Sequence, residues 1–143
     1  MKKSPITSGT WAAHNGSELK LIISEDNTVS GTYNTGSGKP EISEHFPVTG
    51  YVNGDLIGFV VSWTRYNSIT SWCGRFTLEE DGRECIKAMW YLGRMHKANN
   101  EETQMWETFL TNSTMLYKER KIETPTRRTL FNLLPTLPSW RNK

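Results

Sequence analysis

Turn chemistry constrains this chain more than any other feature. Asn53-Gly54 and Asp81-Gly82 each stand between runs rich in β-branched and aromatic residues. Such dipeptides close tight hairpins because they accept positive φ at little cost. Weaker turn signals recur elsewhere, at Asn15-Gly16 and at Glu25-Asp26-Asn27. Between the turns the chain alternates apolar and polar residues, the pattern of half-buried strands. The spacing predicts strands over 11–13, 18–24, 28–35, 44–51, 55–64, 71–78, 83–92 and 108–118, with polar loops at 36–40 and 94–104.

Short antiparallel strands in this order, without a long crossover, predict an all-β fold: an eight-stranded antiparallel up-and-down β-barrel. Closure removes the exposed edges that an open sheet would leave. A β-sandwich is the competing architecture. An eight-stranded barrel has room for one small ligand. The chain of 143 residues fits one domain. The boundaries expected are an N-terminal extension over 1–8, the barrel over 9–118 and a C-terminal tail over 119–143. The tail carries an apolar, proline-punctuated run from Leu130 to Trp140. It reads as a loose terminus or as a segment that docks on a neighbouring subunit or near the barrel mouth.

The stretch Gly58–Trp72 stands out inside this frame. Trp63 and Trp72 lie nine residues apart, joined by Thr64, Tyr66, Asn67, Ser68, Thr70 and Ser71 with one charge, Arg65. Aromatic walls linked by hydroxyl-bearing backbone suit a pocket that is apolar on its faces and polar at fixed points. Six Trp, five Tyr and five Phe supply the area to build it, although apolar residues make up 36% of the chain. A turn at Asp81-Gly82 pairs residues whose numbers sum to about 162. Trp72 then falls opposite Trp90, with Thr70, Ala88 and Leu92 on the same face. Cys73 and Cys85 fall on the other face, offset by roughly 13 Å along the strand. That offset excludes a bridge between them and leaves both as small outward hydrophobes at a subunit contact.

Other function classes find little support. A net charge of +2 argues for neither nucleic acid nor a membrane surface. No apolar run approaches the length that crosses a bilayer, and MKKSPITSGTW lacks the apolar core of a signal peptide. The histidines His14, His45 and His96 are scattered without metal-ligand spacing, and Arg94, His96 and Lys97 read as a solvated loop face. No Ser-His-Asp or Cys-His arrangement appears, so no catalytic residue is expected and the protein is read as a binder, not an enzyme.

Four pieces in order, GTW at 9–11 followed by Gly16-Ser17, GTY at 31–33, the two tryptophans of 63–72, and KAMWYL at 87–92 with a later Trp106, resemble the avidin and streptavidin family of biotin-binding proteins. The resemblance spans about 9–118. It implies a barrel that holds biotin at one end, with no cofactor. By position, Ser17 and Tyr33 would donate to the ureido oxygen and Thr35 would accept from a ureido N–H. Thr70 would lie at the thiophene sulfur and Ser68 at the valerate carboxylate. Trp63, Trp72, Trp90 and Leu92 would line the cage. The loop at 36–40, with Ser37 and Lys39, would be a lid, Lys39 able to pair with a carboxylate. Trp106 would close a neighbour's pocket in a homotetramer. The resemblance also implies a secreted protein whose leader is not in this chain.

The sequence departs from the family pattern at two polar contacts, and at Lys39, which lies in the lid where a small polar residue is common. Ala13 stands where an asparagine usually donates to the ureido oxygen, with Asn15 nearby on the same face. Thr114 stands where the last strand usually offers Asp or Asn as acceptor. These departures keep two other readings open: a barrel of this shape with a changed small-molecule ligand, and an interaction module that works through its tail.

Overall fold

A computed structural model describes residues 3–36, 44–95 and 108–120. Among them lie eight strands: β1 Gly9–Ala12, β2 Glu18–Ile23, β3 Thr28–Asn34, β4 Phe46–Asn53, β5 Leu56–Trp63, β6 Ser68–Leu78, β7 Glu84–Arg94 and β8 Phe109–Lys118. Each pairs antiparallel with its sequence neighbour, and β8 returns to β1 through Trp11↔Lys118 and Ala12↔Tyr117. The barrel is closed, so the up-and-down reading stands and the sandwich does not.

Alternation explains why these residues form a barrel. In β4, Phe46, Val48, Gly50 and Val52 point inward and are buried, while Pro47, Thr49, Tyr51 and Asn53 face out. The other strands supply Trp11, Leu19, Leu21, Ile57, Phe59, Val61, Ile86 and Leu116 to the same interior. Ile6, ahead of β1, is buried with them. Each such side chain removed from water contributes about 1.5–3 kcal/mol. The aliphatic residues fill the end nearest the Gly54-Asp55 and Asp81-Gly82 turns. Toward the other end the inward positions become hydroxyl and indole groups, and the barrel is hollow.

Several strand limits differ from expectation, for local reasons. β4 runs on to Asn53, which pairs with Leu56. The loop is therefore Gly54-Asp55, with Gly54 supplying the positive φ of 58°. β6 begins at Ser68, three residues earlier than the sequence suggested, because a 3-10 turn at Thr64–Tyr66 ends on Asn67 in the left-handed region. Asparagine tolerates that conformation, and the reversal brings Ser68 directly opposite Trp63. β7 extends to Arg94, two residues beyond the expected limit.

The register across Asp81-Gly82 is as expected: Trp72 pairs with Trp90 and Thr70 with Leu92. Both cysteines are free, and both lie on the outer face of the sheet. Cys85, however, is fully buried within this chain, paired with Thr77 of β6 on one side and Tyr117 of β8 on the other. It is a covered outer-face residue and offers nothing to a subunit contact. Cys73 is exposed.

Candidate functional site

The hollow end is walled by rings whose positions follow from strand pairing. Trp63 closes β5, and Trp72 stands mid-β6 opposite Phe59 on one side and Trp90 on the other. Trp72 stacks on Phe59, with centroids 4.7 Å apart and planes 14° from parallel. Phe59 appeared in the sequence only as part of an apolar run, yet it is the ring that backs Trp72. Tyr33 packs 4.9 Å from Trp72 and 5.8 Å, edge-on, from Trp63. Phe46 holds Trp63 from behind at 4.7 Å. Edge-on and offset contacts of this kind fix ring orientation as well as burying area.

Polar atoms interrupt the walls at defined points. Ser17 is buried, and its Oγ accepts from the Gly36 N–H at 3.0 Å. Its own proton is thereby left to donate. The Ser17 and Tyr33 hydroxyls lie near enough to interact. Burial pushes the Tyr33 phenol above its ordinary value, against a smaller downward pull from Ser17, so Tyr33 stays protonated and keeps a proton to donate. Asn15 Oδ1 accepts from the Ser17 N–H at 3.0 Å. That short turn occupies the carbonyl end of the amide and presents the NH₂ end as a donor. A Cβ on Gly36 would collide with the Asn15 carbonyl. Glycine there lets the end of β3 close against the 13–17 turn, bringing Asn15, Ser17 and Thr35 together. Thr70 Oγ1 accepts from Trp63 Nε1 at 2.8 Å in a fully buried bond.

These groups surround a cavity of about 380 Å³, within the range of small-molecule pockets. Its lining includes eleven of the fourteen residues expected from the sequence: Asn15, Ser17, Tyr33, Thr35, Trp63, Ser68, Thr70, Trp72, Trp90, Leu92 and Thr114. Ser37, Lys39 and Trp106 lie outside the described residues. Ala13 is absent from the lining. It packs half-buried against the core, and its backbone holds the turn that carries Asn15, donating to Ser17 O at 2.9 Å and accepting from Gly16 N at 3.1 Å.

Two further lining residues, Tyr66 and Arg94, were missed. Tyr66 sits in the 3-10 turn, where period-two alternation gives no guidance. Arg94 was read as part of a solvated loop. It is the last residue of β7 and shares the inward parity of Trp90 and Leu92. Extending the strand by two residues would have found it. Such a lining, rich in donors and rings, suits holding a molecule at several fixed points.

A family model described as "Avidin family" matches residues 1–118. The chain belongs to the avidin family. Afifavidin, from Afifella pfennigii, is 32% identical over 117 residues, covering 78% of this chain and 73% of that one. Among solved structures, xenavidin superposes with a TM-score of 0.70 at 26% identity, over 82% of this chain and all of that one. Short afifavidin, solved as a complex with biotin, gives 0.66 at 25% identity, over 81% and 91% of the two chains. The barrel fold of this avidin-family chain is thus shared with solved structures, whereas Ala13, Thr114 and Arg94 are read from its own sequence and geometry.

Proposed function

We propose that the chain binds biotin without chemical change, in the hollow end of the barrel. The observation that carries this reading is the convergence of the Ser17, Tyr33 and Asn15 donors at one wall of an aromatic cage. A ureido oxygen bears partial negative charge, and donors fixed in a dry site stabilise it more than water does. The described lining surrounds the cavity without a ligand, so little ordering of those residues opposes binding. The complex of short afifavidin with biotin supports the same ligand.

The remaining roles are those the family resemblance implies by position, for residues that share one lining. Thr35 accepts from a ureido N–H, and Thr114 stands in as the second acceptor. Thr70 lies at the sulfur, Ser68 at the carboxylate, and Trp63, Trp72, Trp90 and Leu92 enclose the ring system. Asn15 takes over donation from the position Ala13 occupies. Each lost or weakened bond to a buried polar group costs about 1–3 kcal/mol. Two such changes lower affinity by about two to four decades relative to a fully furnished site. Titration of tryptophan fluorescence with biotin tests the reading. A saturable change is expected, and an unchanged spectrum at millimolar biotin would contradict it.

A secreted homotetramer belongs to the same proposal. Val60, Ile69, Met89, Tyr91 and Phe109, between 43 and 55% exposed, form an apolar band across the outer face of β5–β8. Bands of this kind favour association. Trp106 is proposed to close a neighbour's pocket, so Trp106→Ala should weaken biotin binding and assembly together. Unchanged affinity in that variant would remove Trp106 from the site.

A further inference from the structure

Several polar groups of the pocket wall are pinned by the protein itself. Ser17 Oγ accepts from the Gly36 N–H, Thr70 Oγ1 accepts from the Trp63 indole, and Asn15 Oδ1 accepts from the Ser17 N–H. Thr114 differs. It pairs with Ala88 in the β7–β8 ladder, on the inward face that also carries the buried Leu116. It is half-buried and lines the cavity, yet its hydroxyl has no hydrogen-bond partner among the described residues. The described lining holds no carboxylate, and its one amide oxygen, Asn15 Oδ1, is already engaged. A ligand N–H that seeks an acceptor on this wall therefore meets hydroxyls, Thr114 among them.

We propose that Thr114 is a specificity-determining residue that widens the pocket's ligand class from cyclic ureas to cyclic carbamates, in which oxygen replaces one ring N–H. The inference rests on the biotin reading above and deepens it. An acceptor-only group at this position would favour the N–H and set lone pairs against lone pairs once oxygen took its place. Sites built to hydrogen-bond a ligand N–H reject the analogue lacking it by about 10⁴–10⁵-fold, because a buried polar group is then left unpaired. A hydroxyl both accepts and donates. With no described partner to hold it, the Thr114 proton turns away from a ring N–H and toward a ring oxygen. Neither ligand strands the hydroxyl. The bond to an N–H is also neutral, and so weaker than one to a carboxylate. A broader ligand class and weaker biotin binding then have the same cause.

The test is competitive titration of the full-length chain with biotin and with its two carbamate isomers, each with one ring N–H replaced by oxygen. At least one isomer should bind within about thirtyfold of biotin. Thr114→Asp should bind biotin more tightly and that isomer less tightly, widening the ratio at least about tenfold. Thr114→Val keeps the shape of the side chain without its hydroxyl. It should weaken biotin more than the isomer, because a stranded N–H costs more than a stranded ring oxygen. A gap of more than about thirtyfold for both isomers in the parent protein would overturn the proposal. So would an unchanged ratio in the two variants, the behaviour of a residue that only fills the wall. If the parent binds no biotin, the biotin reading itself fails and takes this inference with it.

Discussion

The indole nitrogen of Trp63 donates to Thr70 Oγ1 at 2.8 Å, tying the last residue of β5 to the inner face of β6 inside the pocket wall. Both residues are buried, so leaving either polar group unpaired is costly. Thr70→Val keeps the shape of the side chain but strands the indole N–H. That should cost about 1–3 kcal/mol of stability and loosen the Trp63 ring. Thr70→Ser should recover most of the loss. Denaturant unfolding of the three proteins checks this, and equal midpoints for Val and Thr would show the bond to be inconsequential.

Tyr33 ties binding and stability to pH. Its phenol titrates above the ordinary tyrosine value of about 10 because burial disfavours the charged form, an effect larger than the opposing influence of the Ser17 hydroxyl. Folding therefore favours the protonated phenol. The associated stability is fully present below about pH 10 and is lost as pH rises through the higher folded value. Tyr33→Phe should weaken biotin binding at neutral pH by about 1–3 kcal/mol and should lose less stability than the parent above about pH 10. Parallel thermal-denaturation curves for the two proteins across that window would count against the buried, neutral phenol.

Gly36 is the hinge of the polar wall. A Cβ there meets the Asn15 carbonyl, so Gly36→Ala must push the end of β3 away from the 13–17 turn. The Gly36 N–H to Ser17 Oγ bond then lengthens or breaks, and three polar groups of the site shift at once. Biotin affinity should fall at least about tenfold, equivalent to about 1.4 kcal/mol. The far-UV signature of the barrel should persist. Affinity equal to the parent would show that the wall does not depend on this closure.

The barrel was legible because its two strongest turn dipeptides and the alternation between them agree. One register, set by Asp81-Gly82, placed Trp72 opposite Trp90 and put both cysteines outside. Limits of reading appeared where turns use backbone geometry without a strong dipeptide. Asn67 adopts the left-handed region at the end of a 3-10 turn, and nothing in TRYN announces it, so the start of β6 and the place of Tyr66 were missed. Arg94 was missed because a charged residue at the end of a strand looks like a loop residue. Cys85 shows a different limit. Its face followed from parity, but its burial arises between Thr77 and Tyr117 in the neighbouring strands, which no local pattern reveals.

The central claim is that Asn15, Ser17 and Tyr33 converge on a ureido group inside the cage. Calorimetric titration of the full chain with biotin, alongside desthiobiotin and a variant carrying Ser17→Ala with Tyr33→Phe, tests it most directly. The account predicts one biotin per chain and binding of desthiobiotin, which keeps the ureido ring. It also predicts a loss of about 2–6 kcal/mol in the double variant, from two hydrogen bonds to a buried polar group. Biotin that gives neither heat nor a shift in melting temperature at millimolar concentration, or that binds the double variant as tightly as the parent, would contradict it.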